Sequence, residues 1–327
     1  MNPPLAIGID LGGTNIKAAV VDRDGNILHR LEQPTEASRG PGPVIDDLAD
    51  IVSRLRRFSS APSPSQGEGR GEGLVSERIV GIGLATPGPL DLREGRIVRT
   101  ANLPGWKDVP IRDALREKTG LPVTLENDAN AAAFGEYSSG AGRGDDDLVM
   151  LTLGTGVGAG VILNGRILHG HFDNAAELGH MIVVVNGLPC PCGQRGCLEQ
   201  YASATAVVHR VLHADPNHEK DAAIAIRAED VANGAANGDP LCERVWDEAC
   251  LYLAIACVNI QHAYNPSKIV LGGGLSNAGA QLLDRVYAYF RKHTWSLHTD
   301  APEIVLAQLG PDAGVIGAAM LAMPPTA

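Results

Sequence analysis

The sequence predicts an α/β protein made of two similar halves. Apolar runs of strand length alternate with segments in which apolar residues recur at helical spacing, and this alternation occurs on both sides of a central break. Gly-rich turns follow predicted strands at three points, "DLGGTN", "LGTGVGAG" and "LGGGLS". With 327 residues, the chain is long enough for two cores.

The chain begins with a predicted antiparallel meander of three strands. These are "LAIGID", "NIKAAVVD" and "NILHR", and the turn signal Asp24-Gly25 separates the last two. Apolar residues at helical spacing then predict a helix over residues 43–58. Residues 59–76 are rich in Ser, Pro, Gly and Glu and contain almost no large apolar side chains. We therefore expect a disordered surface insertion there.

The same patterns predict the remaining elements. "RIVGIGLA" and "LPVTLEN" indicate strands, "DANAAAFGEY" indicates a helix, and "DLVMLTLGTGVGAGVIL" indicates a strand pair around a Gly-rich turn. Long helices are predicted at about 204–213 and 239–262. "KIVLGGGLS" then indicates a strand, a turn and the start of a helix, and "DAGVIGAAMLAM" indicates a closing helix of small residues.

Composition and charge exclude several classes of partner. Acidic residues outnumber basic ones by 38 to 27, the net charge is −11, and there is no long basic run. Because clustered Lys and Arg hold the phosphate backbone of nucleic acids, we expect no nucleic-acid partner. The N-terminus lacks the pattern of a signal peptide, and no apolar run is long enough to cross a bilayer. We therefore expect a cytoplasmic protein that has no membrane partner.

The three Gly-rich turns match neither familiar nucleotide fingerprint. No Lys follows a Gly, which excludes a Walker-type loop, and "GTGVGAG" lacks glycines at the first, third and sixth positions before a helix. A tight hairpin explains any one such turn. Three together, the first preceded by Asp10 and followed by Thr14, favour phosphate binding, because successive amides next to glycines form an anion-binding concavity.

These segments resemble a known superfamily. "IGIDLGGTNIK", "LGTGVGAG" and "LGGGLS" look like the two phosphate loops and the adenosine loop of the actin, hexokinase and Hsp70 ATPases. "LENDANAAAFGEY", "ELGH" and "CPCGQRGCLEQYAS" resemble, more narrowly, the ROK family of bacterial sugar kinases and repressors. "ANLPGW" and "EQYAS" are most similar to the glucokinases of that family, and the resemblance covers about residues 5–321 except the insertion.

The resemblance implies two ribonuclease-H-like lobes. A small N-terminal lobe would span residues 1–125 and be completed by a C-terminal helix over 311–327, and a large lobe would span 126–310. The resemblance also implies a site for ATP with Mg²⁺, in which Asp10 faces the cation through water. Lys17 is given no role. Phosphates and adenosine would be bound by Gly12, Gly13, Thr14, Gly154, Thr155, Gly156, Gly158, Gly272, Gly273 and Gly274.

Asp128 is the predicted catalytic residue. It follows a strand and opens a helix, so its position alone indicates a helix cap. By resemblance, the Asp of "ENDAN" accepts the proton of the attacking sugar hydroxyl, in a reaction that depends mostly on positioning and charge neutralisation. Asn102 alone would be interpreted as a turn residue before Pro104-Gly105. By resemblance, the sugar is bound by Asn102, Asn127, Asp128, Glu177, His180 and Glu199.

Three of the six cysteines lie within eight positions. With His180, Cys190, Cys192 and Cys197 form His-x9-Cys-x-Cys-x4-Cys, the ligand set expected of a closed structural Zn²⁺ and the zinc pattern of the ROK family. A redox pair and buried thiols are the alternatives, but Cys-x-Cys lacks the spacer of thioredoxin-like sites. Zinc bound at this motif, over 180–197, would fold the cysteine-bearing loop, which has too few apolar residues to fold by itself. The other cysteines, Cys242, Cys250 and Cys257, are spaced for the buried face of a helix.

These inferences predict an enzyme that phosphorylates glucose at its 6-hydroxyl with ATP, and the resemblance suggests a homodimer. Fructose, N-acetylglucosamine and N-acetylmannosamine are alternative substrates, because kinases for these hexoses largely share the motif residues. A sugar-sensing repressor of the same family would carry a DNA-binding domain before the first phosphate loop. We do not expect one here, because that loop begins at Asp10.

Overall fold

The computed structural model describes residues 3–58, 78–100, 103–214, 226–297 and 300–324. The predicted insertion at 59–76 and the predicted sugar ligand Asn102 lie outside these residues. Within the described residues, the strands are β1 (Leu5–Leu11), β2 (Asn15–Asp22), β3 (Ile27–Pro34), β4 (Ile79–Thr86), β5 (Leu90–Asp91), β6 (Arg96–Arg99), β7 (Lys107–Val109), β8 (Val123–Asn127), β9 (Leu148–Leu153), β10 (Val157–Leu163), β11 (Arg166–Ile167), β12 (Lys268–Gly272) and β13 (Glu303–Leu306).

The α-helices of the described chain are α1 (Pro41–Phe58), α2 (Ile111–Thr119), α3 (Asp128–Ser139), α4 (Glu199–Ala202), α5 (Ala204–Ala214), α6 (Ala228–Ala236), α7 (Pro240–Tyr264), α8 (Ala280–His293) and α9 (Ala313–Leu321). None of the helices in these described ranges is both long and apolar enough to span a bilayer.

The chain forms two compact units. Unit 1 comprises Met1–Arg143, His169–Ala175 and Pro311–Ala327, and unit 2 comprises Gly144–Leu168 and Ala176–Gly310.

Each unit contains a five-stranded sheet with the same plan. The strand orders are β3-β2-β1-β4-β8 in unit 1 and β11-β10-β9-β12-β13 in unit 2. In each, the first three strands are antiparallel neighbours and the last three are parallel neighbours. A small antiparallel sheet, β5-β6-β7, is added to unit 1. The predicted pair of similar α/β halves is confirmed.

Apolar periodicity explains the cores of both units. In unit 1, α1 buries Val44, Leu48 and Leu55 completely against the sheet residues. In unit 2, Cys250 and Cys257 of α7 are fully buried, as their spacing predicts. Cys242, at the start of α7, is only half-buried.

Helix α9 packs so closely on β1 and α3 that backbone atoms of these elements approach one another directly. A Cβ at Gly8 would overlap the carbonyl oxygen of Val315, and a Cβ at Gly317 would overlap that of Ala131. Because this contact ties α3 to α9, residues 126–143 belong to unit 1. The lobe boundary that the sequence suggests, between residues 125 and 126, stays a prediction; the compact units group residues 126–143 and His169–Ala175 with the N-terminal residues.

Candidate active site and metal centre

Two carboxylates lie at one edge of the unit 1 sheet. Parallel strands β1, β4 and β8 end together; Asp10 pairs with Ala85 near the end of β1, and Asp128 directly follows β8. Burial, followed by the negative charge of Asp128, raises the pKa of Asp10 to about 6. Burial also raises the pKa of Asp128. These strand ends therefore hold two buried carboxylates, both of which are stronger bases than an exposed aspartate.

Asn127 provides the N-cap of α3. Its Oδ1 accepts hydrogen bonds from the backbone amides of Ala129, at 2.9 Å, and Asn130, at 3.2 Å. Asp128 Oδ1 accepts a further bond from the Ala129 amide at 2.8 Å. The capping function that sequence position alone suggested for Asp128 thus belongs mainly to its neighbour, and the cap holds the carboxylate at the start of the helix.

The first Gly-rich turn is held from behind by Thr35. This fully buried residue donates its hydroxyl to the carbonyl oxygen of Gly12 at 2.7 Å, and its amide donates to that of Thr14 at 2.8 Å. The amide of Gly12 also bonds to the carbonyl oxygen of Asn15 at 3.0 Å. Thr14 itself is exposed. Two carbonyl groups of the turn and its Gly12 amide thus take part in hydrogen bonds that fix its shape.

Lys17 lies opposite Asp10 in the β1–β2 pair. Its positive charge lowers the pKa of Asp10, against the larger effect of burial. Its Nζ donates to the carbonyl oxygen of Pro311 at 3.4 Å. A Cβ at Gly314 of α9 would lie 3.0 Å from Asp10 Oδ2, so helix and carboxylate are in close contact. The sequence alone indicated no role for Lys17, although the register of the predicted β1–β2 hairpin places it opposite Asp10.

The second and third Gly-rich turns meet in unit 2. Strands β9 and β12 are parallel neighbours, with Thr152 opposite Gly272, so both turns leave the same edge of the sheet. Gly273 has φ +83°, and a Cβ there would lie 2.6 Å from the backbone of Leu153. Only glycine fits this position without strain. Thr155, in the second turn, is exposed.

His180 and the three clustered cysteines converge in unit 2. All four ligand atoms lie within 4.8 Å of one another. Cys192 Sγ lies 3.7 Å from Cys197 Sγ, and Cys190 Sγ lies 3.8 Å from His180 Nδ1. Tetrahedral zinc with Zn–S bonds of about 2.3 Å places its sulfur ligands about 3.8 Å apart, so this donor set fits the metal. Burial and the neighbouring thiols raise the pKa of Cys197 to about 12, and a bound cation would reverse this effect.

The loop that carries these cysteines depends on a glycine and a tyrosine. Gly196 has φ +81°, and a Cβ there would overlap the carbonyl oxygen of Val184. Its amide donates to the carbonyl oxygen of Leu188 at 2.8 Å, and the hydroxyl of buried Tyr201 accepts from the Leu188 amide at 2.7 Å. The segment "EQYAS" therefore supports the cysteine loop directly.

The same segment also contacts the second Gly-rich turn. Glu199 Oε2 accepts from the amide of Val157 at 3.3 Å, and its Oε1 accepts from the Cys190 thiol at 3.7 Å. The amide of Ala204 donates to the carbonyl oxygen of Gly154 at 2.8 Å. Glu199 thus bridges the cysteine cluster and the start of β10.

The "ELGH" turn reaches the same strand. A Cβ at Gly179 would overlap the carbonyl oxygen of Val157, so this glycine allows the turn that carries His180 to lie against β10. Glu177, at the start of the turn, is exposed and follows Ala176, whose φ is +67°. Of the predicted sugar ligands within the described chain, Asn127 and Asp128 thus belong to unit 1, and the remainder belong to unit 2.

Comparison with known proteins identifies close similarity to sugar kinases. The sequence profile of the ROK family matches residues 71–324. A glucokinase from Halalkalibacterium halodurans is 38% identical over 324 residues, which is 96% of this chain and 94% of that protein. The crystal structure of a ROK hexokinase from Thermus thermophilus has a TM-score of 0.78 and 36% identity, and covers 97% of both chains. A ROK family glucokinase from Streptomyces griseus, solved in complex with glucose and AMPPNP, has a TM-score of 0.77 and 32% identity, covering 97% of this chain and 98% of that chain.

Proteins with other activities are also similar. An N-acetylmannosamine kinase from Shigella boydii is 30% identical over 323 residues, which is 97% of each chain. A xylose repressor from Bacillus subtilis is 28% identical over 312 residues, which is 95% of this chain but 75% of the repressor. The similarity therefore includes kinases for more than one sugar and a regulator.

Proposed function

The chain belongs to the ROK family and is a hexose kinase, and we propose that it transfers the γ-phosphoryl group of ATP to the 6-hydroxyl of glucose. The observation that carries the choice of glucose is the near full-length similarity to named glucokinases, which exceeds that to the N-acetylmannosamine kinase.

Asp128 is the proposed base. Burial raises its pKa, which brings its basicity closer to that of a group able to take a proton at neutral pH. Phosphoryl transfer needs little covalent chemistry from the protein, so the main task of Asp128 is to orient the sugar hydroxyl and receive its proton late. The Asn127 cap keeps the carboxylate in place while this happens.

The three Gly-rich turns are the proposed ATP site. The first turn, at Gly12, Gly13 and Thr14, and the 154–158 turn would bind phosphate oxygens, and the 272–274 turn would contact the adenosine. Mg²⁺ would supply positive charge that offsets the negative charge developing on the transferred phosphoryl group. Asp10 would face Mg²⁺, and the positive charge of the cation would lower the pKa that burial and Asp128 raise.

The proposed sugar ligands are Asn102, Asn127, Asp128, Glu177, His180 and Glu199. A hydroxyl-rich substrate needs paired donors and acceptors, since each buried hydroxyl left unpaired reduces affinity.

Zinc is proposed as a structural ion on His180 Nδ1 and the three clustered thiolates, with no open coordination position and no part in the chemical step. We also propose a cytoplasmic homodimer, which size-exclusion chromatography with light scattering would test.

A coupled assay of ADP release across a panel of hexoses tests the proposal. We expect the highest kcat/KM with glucose when ATP and Mg²⁺ are supplied. A higher kcat/KM with fructose, N-acetylglucosamine or N-acetylmannosamine would refute the choice of sugar but leave the kinase assignment intact.

A further inference from the structure

We infer that His169 is a positioning residue for phosphoryl transfer, acting on Asp128 through the carboxylate of Glu126. The inference rests on the proposed function, because it takes Asp128 as the base. Sequence analysis assigned no role to either His169 or Glu126, although Glu126 stands within the "ENDAN" motif.

Glu126 connects His169 to the turn that carries Asp128. His169 Nε2 donates to Glu126 Oε2 at 2.7 Å. The other carboxylate oxygen, Oε1, accepts from the backbone amide of Asn127 at 2.9 Å and from Asn130 Nδ2 at 3.0 Å. These two partners precede and follow Asp128 in the chain. Glu126 therefore holds the turn on both sides of the proposed base.

Burial makes this connection sensitive to the loss of its partner. Glu126 is 4% exposed, whereas the side chain of His169 is 36% exposed. A buried carboxylate that loses a charged or hydrogen-bonding partner is strongly destabilised and must rotate, take up a proton or admit water. Each response disturbs the oxygen that holds Asn127 and Asn130. Loss of His169 should therefore displace Asp128 through Glu126. Within the described chain, no hydrogen bond joins His169 to Asp128 directly.

The segment His169–Ala175 holds the imidazole independently of Glu126. Asn174 Oδ1 accepts from the amide of Leu90 at 3.3 Å, and Asp173 Oδ2 accepts from the amide of Leu92 at 3.2 Å. The segment is thus anchored to β5 and to the residue after it. Because these bonds fix the segment, the His169 imidazole can determine where the Glu126 carboxylate lies.

The charge balance supports the same geometry. The hydrogen bond that His169 donates to Glu126 raises the pKa of His169, and the nearby charge of Asp173 acts in the same direction. Both effects favour the imidazolium, which is the better donor to a carboxylate.

Three variants of this segment test the inference. His169→Ala removes the donor, His169→Gln keeps an N–H at a similar reach, and His171→Ala is the control, since His171 is exposed in the same segment. We expect His169→Ala to lower kcat by about tenfold to a hundredfold, as small misplacements of reacting groups do, with little change in the KM for ATP. His169→Gln should recover most of the loss, and the control should match wild type. A kcat per folded molecule that is unchanged in His169→Ala would overturn the inference.

A crystal structure of His169→Ala gives a readout that needs no turnover. The inference expects a changed Glu126 side chain and a displaced Asn127–Asp128 turn, and an unmoved turn would overturn it. Failure of the proposed function looks different, because wild type itself would then leave glucose unphosphorylated while the displacement in the variant would still be seen.

Discussion

Glu199 accepts a hydrogen bond from the backbone amide of Val157 at 3.3 Å. The residue two positions after Cys197 therefore contacts the strand that leaves the second Gly-rich turn. The loop proposed to bind zinc and the turn proposed to bind phosphate thus share one side chain. This relationship determines what removal of the metal should do.

Loss of zinc should disorder His180 and Glu199 together. Cys192→Ser, which removes one thiolate ligand, should lower glucose affinity at least about tenfold, because each unpaired polar contact costs about 1–3 kcal/mol. Nucleotide affinity should fall less, because the second turn keeps its own bond between the Gly154 amide and the Gly156 carbonyl oxygen at 2.9 Å. Elemental analysis with separate titrations of glucose and ATP measures both effects.

Cys242→Ser is the matched control for this experiment. Cys242 undergoes the same chemical change but lies in α7, outside the cluster. It should retain zinc and bind both ligands as wild type does. The coupling would be refuted by a metal-free Cys192→Ser protein with normal glucose affinity.

Asp128→Asn should nearly abolish turnover. Asparagine keeps the size of the side chain but cannot take a proton, so kcat should fall by about 10² to 10⁴-fold while the Kd for glucose changes little. Steady-state kinetics and an equilibrium titration of glucose measure the two quantities. If Asp128 contributed only to capping α3, the variant would lose little stability and almost no rate.

Asp10→Asn should stabilise the ligand-free protein and inactivate it. The folded pKa of Asp10, about 6, exceeds its ordinary value, so the protonated form favours folding and this contribution is lost as the pH rises through 6. Above pH 7 the neutral variant should therefore be more stable by roughly 2 kcal/mol, and the gain should shrink as the pH falls towards 4. Denaturant unfolding at several pH values measures it.

Asp24→Asn, in the exposed turn before β3, is the control for charge removal and should show no such pH dependence. Equal stability of Asp10→Asn and wild type at pH 8 would contradict the burial of this carboxylate. Full activity of Asp10→Asn with Mg²⁺ and ATP would contradict its proposed place beside the cation.

Gly317→Ala should destabilise unit 1 even though alanine is the better helix former. A Cβ at this position in α9 would overlap the carbonyl oxygen of Ala131 in α3. Overpacking of this kind costs about 1–3 kcal/mol or more, which exceeds the helix-propensity gain of about 1 kcal/mol. Gly42→Ala in α1, where nothing lies within 4 Å of the added Cβ, should be neutral or stabilising. Thermal melting compares the two, and an equally stable Gly317→Ala protein would contradict the close packing.

Much of the fold followed from apolar patterning in the sequence. Buried strands such as β1 and β9 are continuous apolar runs, and α1 has a clear apolar face. The small sheet β5-β6-β7 was not predicted, because its strands are two to four residues long and β6 consists of two apolar residues between two arginines. Helix α2 was also missed, since its nine residues are mostly charged and bury only Ile111 and Leu115. Such short elements are stabilised by packing against the rest of the fold, and the local sequence pattern does not indicate that packing.

The site shows the same limit. The spacing of the cysteines predicted a cluster that the structure assembles, because metal ligands close in sequence carry their own signal. Thr35, Lys17 and His169 were not predicted as site residues, since each reaches the site through tertiary pairing with a distant segment. The sequence also does not determine which side chain caps α3, because Asn127 and Asp128 are both good N-cap residues.

The central claim is most directly tested by identifying the product. Purified protein incubated with glucose, ATP and Mg²⁺ can be followed by ³¹P NMR, with polyphosphate replacing ATP in a parallel reaction. We expect glucose 6-phosphate and ADP to form in equal amounts from ATP, and glucose 6-phosphate to form faster from ATP than from polyphosphate. Asp128→Asn should form it at least about 10²-fold more slowly. Release of inorganic phosphate without a sugar phosphate, phosphorylation at another position of the sugar, or faster turnover with polyphosphate would contradict the account.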